Sequence, residues 1–327
     1  MSGTSSTSST SSTSSTTSVP TAAAPDSGAR TAPAAGPRTA APVPYGRAVL
    51  VTGASTGLGR AAALHLERAG FEVFAGVRRE ADGEELAGAA AYGRVEAVRI
   101  DVTDAESVGA AAERVAERLG AGRALWGLVN NAGVCVSAPL ECVPADRLRW
   151  QLETNVVGQL AVTQAFLPQL RRSRGRIVNV TSGLGTVALP YLGAYASAQY
   201  AKEALSDVLR RELRGFGVSV SVVQPGAIKT PIWGKVGEVA REALSHTDSQ
   251  VAALYRARFE QFLAANERGA EESRTTPEDM ARAVARALTE TRPRARYRVG
   301  ADVRRLAVLA RLLPDPLLDR YLRPLTG

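Results

Sequence analysis

The stretch Thr52-Gly53-Ala54-Ser55-Thr56-Gly57-Leu58-Gly59 follows the apolar run Ala48 to Val51 and opens a helical pattern from Gly57 to Ala69. No other feature narrows the possible folds as much. Glycines let a backbone come close to a ligand, and a helix N-terminus offers unpaired amides and the positive end of a dipole. Placed between strand and helix, such a turn is built to cup a pyrophosphate. The rhythm it starts continues along the chain. Val73 to Val77, Val95 to Ile100, Ala124 to Val129, Arg176 to Val180 and Val218 to Val223 read as further strands, with helices between them. That alternation predicts an α/β domain with a doubly wound parallel sheet. After Pro225 a polar, partly helical segment from Ile228 to Thr276 reads as a lid, and Pro277 then opens another helix.

With 327 residues, 45% of them hydrophobic, the chain can bury one full core. Residues 1–44 are Ser/Thr repeats followed by an Ala/Pro stretch and predict a disordered tail, leaving 45–327 as a single folded domain with the lid at about 228–276. Cys135 and Cys142 lie close together with no histidine or third cysteine nearby, so no metal site is expected and a reducing compartment fits. The net charge of +8 is carried almost wholly by arginine, since Lys202, Lys229 and Lys235 are the only lysines. Scattered arginines with few aromatics describe solvated helix faces rather than a nucleic-acid stripe. No apolar run is long enough to span a membrane and no apolar leader is present, which predicts a cytoplasmic protein.

The Thr-Gly-x-x-x-Gly-x-Gly spacing resembles the short-chain dehydrogenase/reductase family, and the resemblance continues in order. Asn130-Asn131-Ala132-Gly133 matches the family's Asn-Asn-Ala-Gly motif. Asn155 sits where the family keeps a helix-bending Asn, and Tyr195 follows Ser182 by thirteen positions, the family's Ser-to-Tyr spacing. Pro225-Gly226-Ala227-Ile228-Lys229-Thr230 resembles its Pro-Gly-x-x-x-Thr loop. The match runs from about Gly46 to Trp233, and Ser206-Asp207 to Arg211-Glu212-Leu213 resembles retinol- and steroid-type members.

This resemblance implies a Rossmann fold holding a nicotinamide dinucleotide. Gly53, Ser55, Thr56, Gly57, Leu58 and Gly59 would hold the diphosphate, Asp101 and Val102 the adenine. Asn131, Ala132 and Gly133 would support the sheet beside the cofactor, and Pro225, Gly226, Ile228 and Thr230 the carboxamide. Where NAD-selective members carry an acid on the ribose hydroxyl, this chain has Arg78 and Arg79. A guanidinium pairs with a 2′-phosphate that an acid would repel, so NADP(H) is expected, with Arg78 the main contact and Arg79 the second. A solvated arginine pair is the alternative.

Catalysis in the family rests on Asn, Ser and Tyr, here Asn155, Ser182 and Tyr195, and on a lysine four positions after the tyrosine. At that position this chain has Gln199. The missing ammonium normally bonds the nicotinamide ribose and lowers the tyrosine pKa; Gln199 supplies hydrogen bonds without the charge. On a helix, position +7 shares the face of +4, so Lys202 is either a stand-in starting about 4.5 Å further along the axis or a plain surface lysine beside Glu203. A neutral tyrosine suffices as the acid for carbonyl reduction, whereas alcohol oxidation needs the tyrosinate that the lysine stabilises. The expectation is an NADP(H)-dependent reductase of an apolar carbonyl compound. The alternative is a cofactor-binding protein of the same fold without net redox chemistry, such as a cyclase, a dehydratase or a scaffold.

In the lid, Ile232, Trp233, Leu254, Tyr255, Phe259, Phe262 and Leu263 either cover a hydrophobic substrate or form ordinary core. Cys135 and Val136 are candidates for the pocket floor, with Cys135 structural rather than reactive. From Asp302 to Tyr321, Leu-rich faces alternate with arginines that either dock on protein or meet a membrane surface. Homo-oligomerisation is expected from the resemblance alone.

Overall fold

The computed structural model describes Gly3 and residues 46–230, 232–245 and 247–323, the side chains of residues 232–235 and 238 excepted. Apart from Gly3, the tail expected over residues 1–44 lies outside them. In chain order the elements are β1 (Ala48–Thr52), α1 (Gly57–Arg68), β2 (Glu72–Val77), α2 (Glu80–Gly88), β3 (Val95–Arg99), α3 (Ala105–Leu119) and β4 (Gly127–Asn130). Next come α4 (Ala145–Leu152), α5 (Gly158–Ser173), β5 (Arg176–Val180), α6 (Gly193–Glu212) and β6 (Ser219–Pro225). The chain continues through α7 (Ile232–Ser245), α8 (Ser249–Glu271), α9 (Pro277–Thr289), β7 (Arg296–Val299), α10 (Ala301–Leu312) and α11 (Asp315–Leu322).

The seven strands form one parallel sheet in the order β3-β2-β1-β4-β5-β6-β7. Period-two alternation divides the core between its faces. Val49 and Val51 of β1 join Leu66 of α1 and Met280, Val284 and Leu288 of α9 on one side. Leu50 joins Val115 of α3, Phe166 of α5 and Leu209 of α6 on the other. Because helices leave β1 and β4 toward opposite faces, a crevice opens between the carboxyl ends of these two strands.

Three elements differ from the sequence expectation. The fourth strand begins at Gly127 rather than Ala124, because the Leu125 amide donates to the Gln169 side chain at 3.1 Å instead of entering a ladder. The edge strand β7 is not visible in the sequence, since Arg296 and Arg298 interrupt its apolar run; only pairing with β6, Val222 to Arg296 through Pro225 to Val299, reveals it. Between α4 and α5 the helix widens into a π turn over Glu153–Val157, with Asn155 inside it.

Candidate active site

All the motif residues gather at the carboxyl edge of the sheet. After β1, Gly53 and Gly57 take φ of +65° and +56°, the left-handed region that favours glycine. A Cβ on Gly59 would stand 2.1 Å from the Gly53 carbonyl oxygen and 2.4 Å from the Asn131 amide nitrogen, so the turn closes only with glycine. Thr52 is the hub of this junction. Its buried hydroxyl accepts the Asn131 and Ala132 amides at 3.0 and 3.1 Å. The Asn131 side chain returns donors to the carbonyls of Thr52 and Gly53 at 3.0 and 3.2 Å. Asn131 and Ala132 thus brace the glycine turn from the neighbouring strand. The N-terminus of α1 has no side-chain cap and no acid in its first turn, which leaves its dipole end uncompensated and fits a diphosphate.

The two candidate 2′-phosphate residues differ in their surroundings. Arg79 is held by Asp82 through two contacts of 3.1 and 2.7 Å at the start of α2. Arg78 is exposed and pairs with no described residue, although its charge helps lower the Asp101 carboxyl. Burial pushes that carboxyl up; the Thr103 amide and hydroxyl, with Arg78, outweigh it. Val102 lies beside α5, where a Cβ on Gly158 would meet its carbonyl oxygen at 2.6 Å.

On the other side of the crevice, Asn155 is 1% exposed and grips the backbone of Val134 at two points, accepting its amide at 2.9 Å and donating to its carbonyl at 3.0 Å. Gln151, one turn earlier and not singled out by the sequence, donates to the same carbonyl at 2.8 Å and accepts the Val136 amide at 2.7 Å. These two side chains hold residues 134–136 as an extended rib beside Tyr195. The Ser182 hydroxyl follows β5, accepts the Leu184 amide at 3.2 Å and lies beside the Tyr195 phenol. Burial raises the Tyr195 pKa, Cys135 adds to the rise and Ser182 opposes it. Burial likewise pushes the Cys135 thiol up to about 12, which makes it a packing group rather than a nucleophile.

Gln199 is buried at 2% exposure, and its side-chain oxygen has no hydrogen-bond partner among the described residues. Lys202 is no surface residue: it too is 2% exposed, and its ammonium donates to the Val180 carbonyl at 2.6 Å, beneath the strand end that carries Ser182. Burial lowers its pKa to about 8 against the raising effect of Glu203. Glu203 is a junction that no motif in the sequence announces. It accepts the Thr181 hydroxyl at 2.7 Å, the Gln224 amide at 2.9 Å and the Arg296 guanidinium at 2.8 Å, fastening β5, β6 and β7 together.

The Pro225–Thr230 loop is clamped as well. Asp302 accepts the Ala227 amide at 2.9 Å, the Gly226 amide donates to the Val299 carbonyl at 2.9 Å, and Ile228 is buried. Over the cleft, Phe259 and Phe262 are fully packed, with ring centroids 5.3 and 5.1 Å from that of Tyr191. Leu263, Cys135 and Leu184 are partly buried against the same apolar cluster. Leu254 faces solvent at 77% exposure and does not cover the cleft, whereas Tyr255 is half-buried and donates to Glu141 at 2.6 Å. The side chains of Ile232 and Trp233 lie outside the described residues. Tyr191 itself takes φ +65°, a strained setting for an aromatic residue at the rim of a site.

Among the described residues no group of side chains is arranged to hold a metal ion, and no helix is long and apolar enough to cross a membrane.

The short chain dehydrogenase family model matches residues 47–240. A 3-amino-tetrahydro-pyrrolizinone reductase of Xenorhabdus hominickii is 43% identical over 84% of this chain and 94% of its own. The 17-beta-hydroxysteroid dehydrogenase type 6 of Bos taurus is 37% identical over 84% of this chain and 87% of its own. Among solved structures, a short chain dehydrogenase from Burkholderia cenocepacia in complex with NADP aligns at a TM-score of 0.64 and 26% identity, covering 86% of this chain and 98% of its own. One from Burkholderia phymatum in complex with NAD aligns at 0.69 and 24% identity over 85% and 95%, which shows the shared fold.

Proposed function

The chain belongs to the short chain dehydrogenase family, and from that premise we propose that it is an NADP(H)-dependent reductase turning a carbonyl of a small apolar compound into an alcohol. The observation that carries this reading is the Tyr195 phenol: partly buried beside Ser182 and Cys135, it has its pKa raised by that burial, and buried Gln199 stands where a cation would favour its ionised form. Such a phenol stays protonated across the neutral range and is ready to give its proton to a carbonyl oxygen. Running the other way, the same group has to lose that proton inside an apolar pocket. The pyrrolizinone relative is named a reductase, which agrees with this direction.

In this reading Gly53, Ser55, Thr56, Gly57, Leu58 and Gly59 hold the diphosphate on the uncapped start of α1, and Arg78 receives the 2′-phosphate while Arg79 remains with Asp82. Asp101 and Val102 border the adenine, and Pro225, Gly226, Ile228 and Thr230 border the nicotinamide. When bound, the reduced nicotinamide supplies the hydride. The chain's own part is positional: Ser182 orients the substrate oxygen, Tyr195 delivers the proton, and Asn155 keeps the rib beside them in place. Gln199 would offer the ribose an amide in place of an ammonium, and Lys202 holds the Val180 carbonyl next to the strand end that carries Ser182. The domain spans residues 45–327, with α7 and α8 as its lid, and is read as a cytoplasmic homo-oligomer.

A fluorescence titration with NADPH and NADH, followed by initial rates in both directions on matched ketone–alcohol pairs, tests the proposal. Tighter NADPH binding and faster reduction at neutral pH are expected; preference for NADH, or faster oxidation, overturns it. A protein that binds cofactor but has lost redox chemistry is separated by Gln199→Lys, which speeds a working reductase and leaves a redox-silent one silent.

A further inference from the structure

Beside the Gly226–Ala227 loop lies a pocket of about 410 Å³ lined by no residue assigned above to the cofactor or the reaction. Open to solvent on one side, it is bordered by α9, the end of β7, the start of α10 and the segment before α9, and its arginines are exposed. Five guanidinium groups line it, those of Arg274, Arg282, Arg286, Arg298 and Arg304, against a single carboxylate, Asp279. Both oxygens of Asp279 are already engaged, one by the Thr276 amide and hydroxyl and the other by Arg282. Arg286 is taken by Glu290 at 2.6 Å. Arg274, Arg298 and Arg304 make no hydrogen bond or ion pair with any described residue, although they come from three separate segments.

Like charges gathered in one concavity repel one another, and their forked donors match phosphate oxygens. The walls of this cavity are also the clamp on the neighbouring loop. Gly300, at φ +118°, turns β7 into α10 so that Asp302 reaches the Ala227 amide. On the opposite wall, Ser273 donates to the Ala227 carbonyl at 2.5 Å and accepts the Thr275 amide at 3.2 Å, with Arg274 between them. An anion drawing Arg274 toward Arg298 and Arg304 therefore pulls together the two segments that grip Ala227 from both sides.

We infer that this cavity binds a compact soluble polyanion with two or more phosphate groups, and that its occupation stiffens the Pro225–Thr230 loop. Pyrophosphate is the probe. Calorimetric titration into NADP+-saturated protein at fixed ionic strength keeps the probe off the cofactor's phosphate site, with chloride and orthophosphate as controls. Saturable binding is expected, weakened at least about tenfold in Arg298→Glu/Arg304→Glu, with hydrogen exchange slowed at residues 226–230 in the wild type only. Should the charge reversal prevent folding, Arg298→Gln/Arg304→Gln serves the same comparison. Pyrophosphate heats no larger than those of chloride, equal affinity in the variant, or unchanged exchange at 226–230 would each overturn the inference. Comparing wild type with the variant isolates the cavity whichever dinucleotide fills the main cleft.

Discussion

The two sides of the cleft are built by different means. Around β1 and α1 the backbone does the work: glycines at positive φ, an uncapped helix start, and Asn131 bonding main-chain carbonyls. Around β5 and α6 buried side chains do it, with Lys202 on a carbonyl, Glu203 tying three strands, and Gln199 holding an oxygen that bonds no described residue. A backbone cradle depends on shape and tolerates no Cβ. A side-chain network depends on charge and responds to pH. The same cofactor-facing edge thus contains one region open to steric attack and another open to titration.

The largest effect should come from the side-chain region. Tyr195→Phe removes the proton donor while leaving the ring in place, and carbonyl reduction should fall by about 10²- to 10⁴-fold with NADPH affinity within a factor of a few. A comparable loss of NADPH binding would mean that the phenol belongs to the cradle and would erase the contrast.

Lys202 sharpens the charge side of the comparison. Its folded pKa of about 8 lies below the ordinary 10.5, so between those values the unfolded chain binds more protons and stability rises with pH. Relative to Lys202→Met, the wild type should gain about 3 kcal/mol from pH 8 to 10.5 in urea titrations, at roughly 1.4 kcal/mol per pKa unit. Parallel pH profiles for the two proteins would show that the amine is not buried as described.

Next in size is Arg78→Ala, which should weaken NADPH by about 10- to 100-fold and NADH by much less, because only the former carries the phosphate a guanidinium recognises. Arg79→Ala should do less, since Asp82 already holds Arg79. Equal losses for both cofactors would remove Arg78 from the proposed role. Shape alone is tested by Gly59→Ala, which places a methyl 2.1 Å from the Gly53 carbonyl oxygen and should cost about 3 kcal/mol of stability along with dinucleotide binding. Thermal unfolding with and without NADPH measures both, and an unshifted midpoint would show that the turn is looser than its geometry implies.

Legibility followed the same division. The turn at Thr52–Gly59 and the Ser182 and Tyr195 spacing could be read directly, because a glycine turn and one helix-borne side chain are specified within a few residues. Gln151, Glu203 and Asp302 could not. Each is an ordinary polar residue on a helix until folding brings it to Val136, Arg296 or Ala227. The apolar lid residues were open to two readings in the sequence; in the fold Phe259 and Phe262 pack against Tyr191 while Leu254 faces solvent.

By itself the sequence determined the alternation of strands and helices, the place of the phosphate turn, and the replacement of an expected lysine by Gln199. All of these follow from local backbone geometry and side-chain spacing. Tertiary structure alone decided that Lys202 is buried under Ser182, that β7 exists, and that arginines from three segments share one cavity. Burial and the meeting of distant charges depend on which surfaces are removed from water together, and neighbouring residues in a chain do not specify that.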